Sequence, residues 1–272
     1  MAASPKPTIA QNRLATTIAI SLLTLAACAW IATYYLMPLL MIQSQSGMEG
    51  SSISAIVAPP SVLSVSIYGA IWVLGMVAMM FPAMIPIVLF YNKIVAKQER
   101  SPSLAKLVGT LLFLGGYLIV YVVLGICAYL VVYAAINLSM QFSELALLSA
   151  AASGAILIAT GIYQFTSLKS ACLKNCISPI AFFTVHHKTG LFGSLRMGLA
   201  HGYYCVGCCW AFMLVMFAVG AMSIPIMAAL AGIIALEKIL VRGATWFNRT
   251  IGLGFILIGV LILIFPSVAA YI

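Results

Sequence analysis

The chain has 272 residues, 64% of them hydrophobic and 6% charged, with a mean hydropathy of +1.18. A soluble domain carries about 25% charged residues, so the composition excludes one and calls for apolar helices in a bilayer. The formal charge of +9 would suggest nucleic acid in a soluble protein. Here it reports basic residues kept on the inner side of a membrane, and no nucleic-acid partner is expected.

Residues 1–13 read as a polar cytoplasmic tail and 14–272 as a single transmembrane helical domain. The first apolar run, Leu14 to Ile42, contains Leu25-Ala26-Ala27-Cys28, which is similar to a lipoprotein cleavage site. The chain stays apolar beyond Cys28 where a lipidated cysteine would be followed by a polar tether, so an uncleaved first helix is expected. A polar loop with Glu49 and Pro59-Pro60 leads into a second span, Val62 to Tyr91, and a basic loop holds Lys93, Lys97, Arg100 and Lys106. The third and fourth spans are Leu107–Ile136 and Leu145–Leu168. The longest inner loop, Lys169 to Arg196, carries Cys172, Cys176, His186 and His187.

The fifth span is Met197–Met222. Ser223-Ile-Pro225 reads as a helix start, with Ser as cap and Pro in the first turn. The sixth span, Pro225 to about Leu240, is near the lower limit of about 17 residues for a crossing. Thr250 to Ile272 is the last. With seven spans and the N-terminus inside, all 13 Lys and Arg fall on one side. The expected fold is therefore all-α: a polytopic transmembrane helical bundle of about seven spans, N-in and C-out.

Chemistry concentrates in His201-Gly-Tyr-Tyr-Cys205-Val-Gly-Cys208-Cys209-Trp210. In a continuous helix His201, Cys205 and Cys209 succeed one another turn by turn, with Cys208 alongside, so imidazole and thiols share a face. Thiolate plus imidazole suits Cu(I) or Zn(II). Cys172 and Cys176 are also one turn apart, near the same membrane face, and the two groups are candidates to converge. The bland alternative is that these are small core residues. Seven cysteines is an odd number in a chain with little exposed backbone, so reduced thiols are expected rather than a disulfide framework.

Met76, Met80 and Met84 place one thioether per turn along the second span, beside Met79. Thioethers suit Cu(I), although Met is also a common apolar filler. Pro82 and Pro86 in the same helix could kink it. Glu237 is the candidate intramembrane carboxylate, weighed against an interfacial Glu paired with Lys238 or Arg242. Gly198 and Gly202 favour close helix packing. The absence of Asp argues against carboxylate-rich Mg or Ca sites and phosphoryl transfer.

Trp72-xxx-Met76-x-Ala-Met-Met80-x-Pro82, Gly161-Ile-Tyr163-Gln-Phe-Thr-Ser-Leu-Lys169-x-x-Cys172-Leu-x-x-Cys176, the His201–Met213 motif and Glu237-Lys238 together resemble one family. It is the bacterial and archaeal family of predicted metal-binding integral membrane proteins, a domain of unknown function. Ser167 stands where that family's pattern would have Pro. The resemblance implies metal binding without naming a reaction.

The expected function is to bind a soft metal ion, copper with zinc as the alternative, and to move it or hand it on. The ligand set would be Cys205, Cys208, Cys209, His201, Cys172 and Cys176, with Met76, Met80 and Met84 as a thioether relay and no catalytic residue. Expected partners are the lipid bilayer and a metallochaperone or membrane enzyme complex. Two other readings stay open: an accessory or assembly subunit of such a complex, and a thiol oxidoreductase using Cys205 and Cys208. Reducing cytosol opposes the latter.

Overall fold

The computed structural model describes residues 9–45, 62–98, 103–141, 148–218 and 223–265. The expected loop around Glu49, Pro59 and Pro60, together with Lys6, Arg100 and Met222, lies outside them. The described residues are all-helical, with no strand among them. In chain order the helices are α1 (Ile9–Gln45), α2 (Val62–Gln98), α3 (Ser103–Gln141), α4 (Leu148–Tyr163), α5 (Ser167–Ile177), α6 (Pro179–His186), α7 (Gly190–Ala218), α8 (Ile224–Ala235) and α9 (Thr245–Ile264). A π-helical turn, Leu236–Leu240, continues α8. Helix α1 starts within the stretch expected to be a tail, and α2 runs unbroken through Pro82 and Pro86.

Five helices are long and apolar enough to cross a membrane: α1, α2, α3, α7 and α9. A sixth crossing arises if α4 and α5, bent by 67° at a short break, count as one span. The fourth expected span, Leu145–Leu168, thus corresponds to a helix pair broken by a bend rather than to one continuous helix. The expected sixth span, α8 with its π turn, is too short to qualify alone.

Contacts between helices fix their directions. Trp72 Nε1 donates to the Tyr121 carbonyl (2.9 Å) and Thr110 to Asn92 Oδ1 (3.1 Å), so α2 and α3 are antiparallel. Gly198 of α7 packs on the Phe113 carbonyl of α3, and Tyr121 reaches Cys209, so α3 and α7 are parallel. Thr160 donates to the Ala211 carbonyl (3.2 Å) and Tyr163 to that of Gly207, which makes α4 antiparallel to α7. Gly161 meets Gly252 while Gly154 meets Gly259, so α9 is antiparallel to α4 as well. Helices α7 and α9 therefore run the same way, and the segment Ile224–Leu240 makes the return between them.

The α3–α7 seam shows why Gly-xxx-Gly stands there. A Cβ on Gly198 would fall on the Phe113 carbonyl oxygen, and one on Gly116 on that of Leu195. Missing side chains on both helices bring the backbones together, the usual device where apolar burial alone cannot drive helix association. Around this seam the core holds Trp72, Phe113, Tyr117, Tyr121, Phe182 and Phe212, with the buried cysteines and methionines in the same cluster.

Candidate metal centre

Cys205, Cys208 and Cys209 lie three and four residues apart on α7, so one helix face carries all three. The partner sulfur comes from α5, whose ends are set by its own sequence. Thr166 caps it by accepting from Lys169 N (3.3 Å), and Ser178 both ends it and caps α6, where Pro179 occupies the first turn. The 67° bend from α4 aims this short helix at α7. As a result the sulfurs of Cys176, Cys205 and Cys208 all lie within 4.8 Å of one another, and all three residues are buried.

The remaining candidates take other positions. Cys209 Sγ donates to the Cys205 carbonyl (2.7 Å) and meets the Tyr121 hydroxyl at 3.6 Å. Cys172 Sγ occupies the space left by Gly207, where a Cβ would stand 2.7 Å from it. His201 is buried among Tyr117, Phe113 and the edge of Phe182, at ring separations of 5.9, 6.1 and 5.2 Å. Its Nδ1 makes no hydrogen bond with any described group. His186 instead pairs with the Tyr204 hydroxyl at 3.1 Å. Met76, Met80 and Met84 are buried on α2 within the same core.

Polar groups converge on Cys205. Lys238 Nζ lies 3.0 Å from its sulfur, and the Tyr117 hydroxyl lies at 3.3 Å. Behind them, Lys169 Nζ meets Glu237 Oε1 at 2.5 Å, donates to Gln164 Oε1, and stands 4.8 Å from the centre of the Phe212 ring. Lys169 is 1% exposed and Lys238 5%. Lys169 is expected at the start of the inner loop and Lys238 at the membrane interface, and the structure corrects this: both are core residues, paired with a carboxylate and a thiol. Glu237 is buried as well, and its ionic partner is Lys169 rather than Lys238 or Arg242.

The sequence carried a faint signal for this pair. Gln164 and Lys169 stand inside the motif that ends in Cys172 and Cys176, and Glu237 is the only acidic residue in a long apolar tract. Local geometry completes the arrangement. Leu236–Leu240 is a π turn, with Val241 N donating back to Leu236 O (2.9 Å), a form frequent at functional sites. Arg242 (φ 47°) and Gly243 (φ 71°) then reverse the chain into α9.

The sulfurs sit at a definite level. Cys205 is about 22 Å from the start of α7 at 1.5 Å per residue. Helix α4 ends against Gly207, and the π turn ends beside Cys205. The site is therefore a shelf where two helices stop, while α3 and α7 continue past it.

Residues 69–262 match the family described as PpoB2, copper chaperone. The chain belongs to this copper-chaperone family. The match includes both cysteine groups, the three methionines and the Lys169–Glu237 pair, and it supports the expected metal-related character. No curated protein and no solved structure matches the chain.

Proposed function

We propose that this protein binds Cu(I) as cargo at Cys176, Cys205 and Cys208 and delivers it to a partner at the membrane. The observation that carries this is the three-sulfur group, built from two helices and closed off from solvent. Metal–sulfur bonds of about 2.3 Å, as for zinc, set the sulfurs of a trigonal site about 4 Å apart. The three sulfurs lie within 4.8 Å of one another, a bound that admits a site of that size. All-sulfur donors in a dry pocket favour soft Cu(I) over harder ions. Zinc with a fourth ligand from Cys209, Cys172 or His201 is the competing occupant.

The ammonium of Lys238 beside Cys205 stabilises a thiolate there, which a cation then meets without first having to remove a proton from a dry site. Met76, Met80 and Met84 would serve as looser thioether stations leading to the tighter thiolates. Delivery, rather than stand-alone transport, is supported by the family's copper-chaperone description. An accessory role in assembling a copper-containing membrane complex is the same chemistry seen from the partner's side.

The topology proposed is seven crossings with the N-terminus inside. Parallel α7 and α9 require a return between them, which Ile224–Leu240 supplies. The exposed Lys93, Lys188, Arg196, Arg242 and Arg249 lie near the ends of α2, α7 and α9 that these directions bring to one side, as the positive-inside rule asks.

Metal analysis of protein purified anaerobically in detergent tests the function, beside a Cys176/Cys205/Cys208→Ser variant. About one copper per chain, lost in the variant, is expected. Purified protein that takes up neither copper nor zinc would contradict the proposal.

A further inference from the structure

Burying an ion pair is tolerable only when further hydrogen bonds satisfy the remaining lone pairs and protons of both partners. Lys169 meets this condition through Glu237, Gln164 and the Phe212 ring. Glu237 does not. Its Oε2 is buried and makes no hydrogen bond with any described group. Two more buried side-chain atoms lack a partner among the described groups: Gln164 Nε2 and Asn248 Oδ1. Gln164, Glu237 and Asn248 are 3%, 1% and 5% exposed, so bulk water does not reach them.

These groups belong to one place in the fold. Gln164 is joined to Glu237 through Lys169 Nζ, which binds both. Asn248 sits in the first turns of α9, between two residues tied to the same pair. On one side Gly243 N donates to the Glu237 carbonyl at 2.8 Å. On the other, Gly252 packs on Gln164, whose Cβ would be 2.9 Å from a Cβ added there. The amide orientation of Gln164 is fixed by chemistry, because an ammonium must meet its oxygen and its NH2 must point elsewhere.

Glu237 Oε1 has no hydrogen bond either but faces the Lys169 ammonium, which leaves one donor, Gln164 Nε2, and two acceptors, Glu237 Oε2 and Asn248 Oδ1. A ligand that completes them accepts one hydrogen bond and donates two. Water does so, and about three bonds is the usual number for a buried water. A metal cation would face the Gln164 NH2 and the Lys169 ammonium, and an anion would face the Glu237 carboxylate. We propose that Gln164, Glu237 and Asn248 enclose a specific internal water site, one that completes the Lys169–Glu237 pair and ties α4, the π turn and α9 together. Through Lys169 the water helps hold α5, the helix that carries Cys176.

Infrared difference spectroscopy in H2(16)O and H2(18)O tests this on the full chain in lipid nanodiscs, without added metal, so the outcome is independent of the copper proposal. Wild type is expected to show an isotope-sensitive O–H stretch of an ordered water. Asn248→Leu should abolish it, and Asn248→Ser should keep it at a shifted frequency. The same band unmoved in both variants, or no such band in wild type, would overturn the site. If the Leu variant does not assemble, an unshifted band in the Ser variant alone overturns it. Stabilisation of wild type by sodium over choline, removed by Asn248→Ser, would assign a cation instead and equally overturn it.

Discussion

Lys238 brings its ammonium to 3.0 Å from the Cys205 sulfur, and both residues are buried. The proposed site sets a metal cation at the same sulfur, so the two cations would share one ligand. An ammonium at this distance would offset the charge of a thiolate ligand. Lys238→Met removes that counter-charge at similar length. Groups of this kind, one step removed from the metal, typically change affinity about 10- to 100-fold. A weakening in that range, with stoichiometry kept, is expected from competition against a colourimetric Cu(I) chelator. Unchanged or tighter binding would show that repulsion between the two cations dominates.

The proposed ligand set separates the cysteines. Cys176, Cys205 and Cys208 share a 4.8 Å sphere, whereas Cys172 lies in the space over Gly207. Cys205→Ser is expected to lose the bound copper, and Cys172→Ser to retain it. Metal content of the two purified variants, each scaled to protein, decides the matter. Loss in both would make Cys172 a ligand.

The buried pair predicts non-additive stability. Lys169→Met or Glu237→Gln alone leaves a partner charge or lone pair uncompensated in the core, at a cost of about 3–5 kcal/mol. The double variant Lys169→Met/Glu237→Gln removes both charges and should recover most of that loss. Thermal unfolding in detergent, read as a double-mutant cycle, measures the coupling. Additive losses would place the two side chains in independent surroundings.

At the α3–α7 seam, Gly198→Val sets a branched side chain on the Phe113 carbonyl. Overpacking of this kind costs about 1–3 kcal/mol or more. It should move the helix that carries all three α7 cysteines, lowering both the melting temperature and copper occupancy. Full occupancy with a lowered melting temperature would mean that the seam supports the fold alone.

In the proposed scheme the methionines act on delivery rather than on final binding. Met76/Met80/Met84→Leu keeps apolar volume, and each such exchange usually costs under about 1.5 kcal/mol. Reconstituted variant protein is expected to reach the same copper content as wild type, but more slowly. Equal loading rates would reduce the stripe to packing.

Much of this architecture was legible in the sequence, because apolar runs and basic loops report directly on helices and their ends. The i, i+4 cysteines of α5 and the row on α7 were each visible, and the structure joins them through Cys176, Cys205 and Cys208. Cys209 and His201 share the expected α7 run but stand outside the three-sulfur group: Cys209 meets Tyr121 and, like Cys208, donates to the Cys205 carbonyl, and His201 lies among aromatic rings. Periodicity alone cannot see which neighbour takes a side chain. Lys169 and Lys238 stood out least. A lysine at the end of an apolar run looks like an anchor at the membrane surface. Only the 67° bend after α4 and the π turn after α8 reveal that both point inward.

The most direct test of a three-sulfur copper site is X-ray absorption at the copper edge on anaerobically loaded protein, compared with Cys176→Ser. Wild type should give the edge shape of three-coordinate Cu(I) with a sulfur-only shell. The variant should fall to two sulfurs, because α5 supplies the third. A wild-type shell dominated by nitrogen or oxygen, or one unaffected by Cys176→Ser, would contradict the assignment.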